Sequence, residues 1–158
     1  MFNSLFGSKP GKANKPGPSA LAPDLQYRRI LVPLDMRHAD QSEGALATAA
    51  ALARLAKAQL HVLTVAYPFG DGIQDVAEAH QQEFEAYVAE QSKTLGVAMD
   101  PVFRVHDTAV DIIADVAAEL ETDLIVMVSH DPRFADRFFG SNASHVVTSA
   151  KASVLVVR

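Results

Sequence analysis

From Arg29 onward, short apolar runs alternate with longer stretches of helical periodicity. Ile30–Leu34, Leu60–Val65, Pro101–Val105, Leu124–Val128 and Ser153–Val157 are too short for helices and rich in β-branched residues, which predicts buried strands. Asp40-x-x-Glu43 has the form of a capping box and predicts an Ala-rich helix running to about Lys57. Gly70–Gly72 predicts a turn. A long helix is expected from Asp75 to about Thr94, with Val76, Ala79, Phe84, Tyr87 and Val88 toward the core and Gly96 at its end. Thr108–Leu120 is expected to be helical, with Val110, Ile113, Ala114 and Ala117 on one face, and Asn142–Ala150 supplies a last helix. Strict alternation of apolar strands and helices predicts a parallel sheet covered on both faces. Right-handed crossovers make it an α/β doubly wound fold of five parallel strands in the order 3-2-1-4-5.

The first 24 residues break this pattern. They crowd Pro10, Pro16, Pro18 and Pro23 with Gly7, Gly11 and Gly17, and are read as a disordered tail ahead of a single domain over residues 25–158. Gly7-Ser8-Lys9-Pro10-Gly11-Lys12 imitates a phosphate-binding P-loop. Its spacing is one residue short, Ala13 replaces the required hydroxyl residue, and no strand precedes it. Met1–Phe6 is too short and uncharged for a secretory signal. No apolar run is long enough to span a membrane. The chain has no cysteine, which removes thiolate chemistry and disulfides and fits a reducing, cytoplasmic setting. Its formal charge is −5. Lys9, Lys12 and Lys15 all lie in the tail, so the domain is more acidic still. That argues against nucleic acid as a partner, which needs clustered basic residues.

Doubly wound sheets bind ligands beyond the C-terminal strand ends, where strand order reverses. Here that crevice lies between the first and fourth strands, next to Asp35 on one side and Ser129-His130-Asp131 on the other. Asp35 can accept from an adenine amino group or a ribose hydroxyl, or it can serve as a cap before the first helix. Gly140-Ser141-Asn142 opens the last helix, so its free N–H groups and the helix dipole offer an anion cradle, although Ser and Asn are ordinary caps too. His130, Arg133 and Arg137 could neutralise phosphate, opposed by Asp131 and Asp136. The histidines show none of the spacings of a helical metal site, and no nucleophile elbow occurs.

Arg29-Ile-Leu-Val-Pro-Leu-Asp35, His61-Val-Leu-Thr-Val65, Ile125-Val-Met-Val-Ser-His-Asp131, Gly140-Ser-Asn-Ala143 and Ser153-Val-Leu-Val-Val157 together resemble the universal stress protein (UspA-type) family over about residues 27–158. The Ser129-His130-x-Pro132 … Gly140-Ser141-Asn142-Ala143 version looks like the small F/G-type bacterial branch. The resemblance implies binding of ATP, or of AMP or ADP, possible assistance from Mg²⁺, and a homodimer through the last strand, here Val154, Leu155, Val156 and Val157. It implies adenine and ribose contacts from Pro33, Leu34, Asp35 and Val65. The phosphates would sit on the loop Val128, Ser129, His130, Arg133, Gly140, Ser141 and Asn142. Val128 and Asp131 stand where the family loop has glycines, and eight residues, not nine, separate Asp131 from Gly140. The F/G-type branch shares both departures but typically carries a basic residue at the position of Asp131. An acid beside a triphosphate costs about 1 kcal/mol or more at close range, which Arg133 or a bound cation would offset. Asp107 also replaces a family glycine, so that turn is expected to differ.

Two functional readings follow. The first is an adenine-nucleotide-binding protein with a regulatory or stress-protective role, in which any ATP hydrolysis or self-phosphorylation is slow, since no general base, metal cluster or nucleophile stands out. The second is a nucleotide-free dimeric interaction module of the same fold. Related enzymes fit less well. A pyrophosphatase-type ligase needs a Gly-rich loop where Asp35-Met36-Arg37-His38 stands, and a phospho-receiver needs a Lys after the fifth strand.

Overall fold

A computed structural model describes residues 27–68, 73–107, 109–128, 146 and 150–158, with the backbone alone at residues 73–76 and 110. The strands are β1 (Arg29–Leu34), β2 (Gln59–Ala66), β3 (Asp100–Val105), β4 (Leu124–Val128) and β5 (Ser153–Val157). They form one sheet in the order β3-β2-β1-β4-β5, with every pairing parallel. This is the predicted topology. The expected turn at Gly70–Gly72, the tail, and most of the helix expected over Asn142–Ala150 lie outside the described residues.

Successive residues of each strand point to opposite faces, and a different core forms on each. On one face α1 (Glu43–Ala56) and α2 (Ile73–Leu95) cover Ile30, Val32, Leu60, Val62, Leu124 and Val126. Helix α1 meets the sheet through Ala45, Leu46, Ala49, Ala50 and Ala53, all buried. Four of those five side chains are single methyls, so the helix lies close to the strands. Helix α2 contributes Phe84 and Val88, one helical turn apart and fully buried. Ala79, expected on that face, is exposed. It lies five residues before Phe84, which at 100° per residue turns it well away from the Phe84–Val88 stripe. On the other face α3 (Ala109–Glu119) packs Ile113, Val116 and Ala117 on Leu31, Leu63, Val102 and Ile125, and the helical residue Val146 joins them.

The first helix does not begin as Asp40-x-x-Glu43 suggested. A 3₁₀ segment, Met36–Ser42, comes first, interrupted at His38 (φ −136°, ψ 41°). Asp40 lies inside it and contributes its carbonyl, which accepts the N–H of Glu43. Ser42 precedes α1 without a capping side-chain hydrogen bond. The residue that caps this region is Asp35, at the end of β1. Left-handed residues follow the helix C-termini: Lys57 (φ 55°) after α1, Gly96 (φ 63°) after α2 and Glu121 (φ 48°) after α3.

At the N-terminal edge of the sheet, the Asp123 carboxylate accepts from the N–H groups of Arg28 (2.7 Å) and Arg29 (3.2 Å). Its own backbone joins Arg29 and Ser153. One residue thus ties the starts of β1, β4 and β5 together. The C-terminal end is looser. β1 pairs with β2 along its whole length, but its ladder with β4 covers only Ile30–Leu124 and Leu31–Ile125. The two central strands are laddered at their beginnings and not where they end, which is where strand order reverses.

Candidate functional site

Asp35 leaves β1 in an extended conformation (φ −100°, ψ 115°). Its carbonyl accepts the His38 N–H at 2.9 Å, which starts the 3₁₀ segment. That turn carries Arg37 back over the strand end. Asp35 Oδ1 accepts from the Arg37 backbone N–H and from Arg37 Nε, both at 3.0 Å, and Oδ2 accepts from an Arg37 terminal nitrogen at 2.7 Å. A carboxylate offers about four lone-pair directions. Three are used here, and one on Oδ2 is left.

Burial alone would push the Asp35 carboxyl up. The hydrogen bonds and charge of Arg37 outweigh it, with a smaller pull from His38, and hold the group below the usual carboxylate value. The same pair, more than burial opposes it, keeps Arg37 firmly protonated. The Arg37 guanidinium also lies 5.7 Å from the centre of the Tyr67 ring, within cation–π range. Thr64 fixes the other side of the strand end: its buried hydroxyl donates to the Leu34 carbonyl at 3.1 Å.

Two cavities meet at Asp35, one on each face of the sheet. On the α3 face, Pro33, Leu34, Asp35, Leu63 and Val65 face Ala109 and Ile113 across a cavity of about 20 Å³, room for about one water. All four residues expected to hold adenine and ribose line it. The β1–β2 ladder ends at Leu34–Thr64, so Val65 extends one residue past its neighbour, directly beside Asp35. On the α2 face a larger cavity, about 210 Å³, is bounded by Asp35, Arg37, Thr64, Val65, Ala66, Tyr67 and Phe103 together with α2.

Val128, expected in the phosphate loop, ends β4 opposite Val157 of β5. Its side chain packs half-buried against the core under α1. Ser129, His130, Arg133, Gly140, Ser141 and Asn142 lie outside the described residues. Arg37, Thr64, Ala109 and Ile113 are site residues that sequence reasoning missed. The Asp-x-Arg spacing at 35–37 was the available signal for the first, and the two-residue period of β2, which separates Thr64 from Val65, for the second. Among the described residues no group of three or more His, Cys, Asp or Glu is placed to hold a metal, and no helix is long and apolar enough to cross a membrane.

A family model described as the universal stress protein family matches residues 26–158. Universal stress protein G of Salmonella typhimurium is 27% identical over 142 residues, covering 84% of this chain and 99% of that relative. The fold is similar to that of universal stress protein UspA from Lactobacillus plantarum, with a TM-score of 0.70 at 23% identity over 84% of this chain and 99% of that one. It is also similar to the universal stress protein from Archaeoglobus fulgidus in complex with dAMP, with a TM-score of 0.63 at 26% identity and coverage of 84% and 99%.

Proposed function

The chain belongs to the universal stress protein family, with G-type relatives, and from that premise we propose that it binds an adenine nucleotide and acts as a regulatory or stress-protective protein of the cytoplasm. The observation that carries this reading is the convergence of Pro33, Leu34, Asp35 and Val65 on one crevice with Ala109 and Ile113. The related Archaeoglobus protein with dAMP bound supports the ligand class.

In this reading the base seats at the crevice mouth, against the half-buried Val65, because the cavity behind it holds no more than a water. Backbone groups of Val65, past the end of the β1 ladder, address the base edge. The remaining acceptor direction on Asp35 Oδ2 takes an adenine amino group or a ribose hydroxyl. Arg37 holds that carboxylate ionised and in one rotamer, so little is lost in ordering it on binding. The phosphates run toward Ser129, His130, Arg133 and the Gly140–Asn142 amides, where ATP, ADP and AMP differ in the number of charges set against Asp131. Residues 25–158 form the nucleotide-binding domain, residues 1–24 stand as a tail, and any hydrolysis or self-phosphorylation is slow.

Calorimetric titration of the full chain with ATP and with AMP, each with and without Mg²⁺, tests the reading. Binding heat is expected, with affinity for both lowered about tenfold in Asp35→Ala, the worth of one hydrogen bond to a charged group. Absence of heat at millimolar nucleotide would overturn it.

One feature favours dimerisation whether or not nucleotide binds. β5 is the sheet's outer strand, and Leu155 and Val156 on it are 37% and 42% exposed. An apolar edge invites pairing, and a second copy of the same strand in antiparallel register would cover it. The nucleotide-free dimeric module rests on this edge and on Val128 and Asp131. Mass spectrometry of freshly purified protein separates the two readings, since co-purified nucleotide is incompatible with the second.

A further inference from the structure

Most of the cavity on the α2 face lies across the sheet from the proposed nucleotide crevice, and among the described residues the two share only Asp35 and Val65, at the strand ends. Thr64, Ala66 and Phe103 lie on the α1–α2 side of their strands, whereas Leu63 and Val65 face α3. Its volume of about 210 Å³ exceeds the roughly 150 Å³ of a cavity known to admit benzene. One aromatic ring with a short arm fills it. Its apolar surface comes from Met36, Val65, Ala66, Tyr67 and Phe103. Phe103 is braced from behind by Phe84, at 6.4 Å between ring centres with a 42° tilt, so one wall is a fixed aromatic.

Charge selects among single-ring ligands. Two carboxylates, Asp35 and Glu83, line the cavity with one guanidinium, and that guanidinium is already held bidentately by Asp35. The acid at the rim is therefore Glu83, with His80 one turn before it on α2. An anionic arm would meet Glu83 with its charge unopposed. An ammonium arm would pair with it, and would face aromatic rings that favour cations. Tyr67 already accepts one cation, Arg37, on its ring.

We propose that this cavity binds a small aromatic amine in its cationic form, a single ring carrying an ammonium on a chain of two or three carbons. No nucleotide is needed for it to bind, and the site exists whether or not the α3-side crevice takes one. For a ligand of this size, affinity on the order of 1 mM is expected.

The test is a nuclear magnetic resonance titration of the full-length, nucleotide-free protein with phenethylamine, 3-phenylpropionate and benzyl alcohol. Phenethylamine is expected to shift the amides of Thr64, Ala66, Glu83 and Phe103 in a saturable way, and the anion of similar size to bind far more weakly. Glu83→Gln, an exposed helix position, should weaken phenethylamine about two- to fivefold and leave benzyl alcohol unchanged. Ala66→Leu, which fills the floor, should abolish the shifts of both. The proposal falls if phenethylamine at several times that concentration moves none of these amides. It falls equally if 3-phenylpropionate binds as well, or if Glu83→Gln does not discriminate. Retained nucleotide binding with no amine binding would sink this inference alone, and the reverse outcome would sink only the nucleotide reading.

Discussion

Asp35 ends a buried strand, caps the 3₁₀ segment that follows, and holds Arg37 through three hydrogen bonds. Its carboxyl titrates below the usual value in the folded chain and near 4 when unfolded. The ion pair therefore adds stability that is fully present above about pH 4 and is lost as pH falls through the lowered folded value. Arg37 is largely exposed, so the gain is about 1 kcal/mol or less. Thermal melts should show Asp35→Asn less stable than the wild type at pH 7, with the gap closing below pH 4. A gap that persists unchanged at pH 3 would mean that packing, not charge, sets the difference. Asp35 was legible in the sequence because a carboxylate just past an apolar run is a recognisable pattern. Arg37 was not, because a contact two residues away depends on an extended Asp35 followed at once by a 3₁₀ turn. The capping assignment of Asp40 failed for the same reason: the chain needs one more turn to leave the strand end before α1 begins.

Among the elements, α2 depends most on single side chains. Among its described side chains, the fully buried ones are Phe84 and Val88, packed against the sheet and Phe103. Phe84→Ala should cost about 3–5 kcal/mol in chemical denaturation, and a loss under 1 kcal/mol would show that α2 is not integral to the core. At its C-terminal end, Gly96 sits at φ 63° with open space where a Cβ would project. Gly96→Ala should therefore cost only the left-handed backbone penalty, about 1 kcal/mol. β5 differs in kind, since one of its edges has no partner strand in the described sheet. If it pairs with a second copy, Val156→Lys should convert a dimer into a monomer in light scattering while leaving the unfolding temperature at matched monomer concentration little changed. A wild-type chain that is already monomeric would remove the dimer proposal.

For the whole molecule, the two cores on opposite faces of the sheet are built from residues 27–157, and the Pro- and Gly-rich composition of the tail predicts that it adds nothing to them. Deleting residues 1–24 should leave a single cooperative transition within about 2 °C of the full chain. Loss of cooperativity would show that the tail packs on the domain. The placement of both proposed ligand sites at the open end of the sheet also belongs to this scale. Asp123 gathers three strands at one end, while the β1–β4 ladder stops early at the other.

The number, kind and order of the described strands were determined by the sequence itself. Apolar runs of strand length between helical stretches admit few packings, and the right-handed crossover rule removes most of those. Asp35 could be placed at the crevice by the same logic, since it stands just past a strand end, and the family resemblance added Pro33, Leu34 and Val65 beside it. Which cavity each residue faces was decided only by the tertiary structure. Thr64 and Val65 are neighbours in the chain but look into different cores, and Ile113 reaches Pro33 across the sequence because sheet register puts α3 over that strand end. Such contacts join residues tens of positions apart. No local spacing encodes them, so the crevice under α3 and the cavity under α2 became visible only when the strands were side by side.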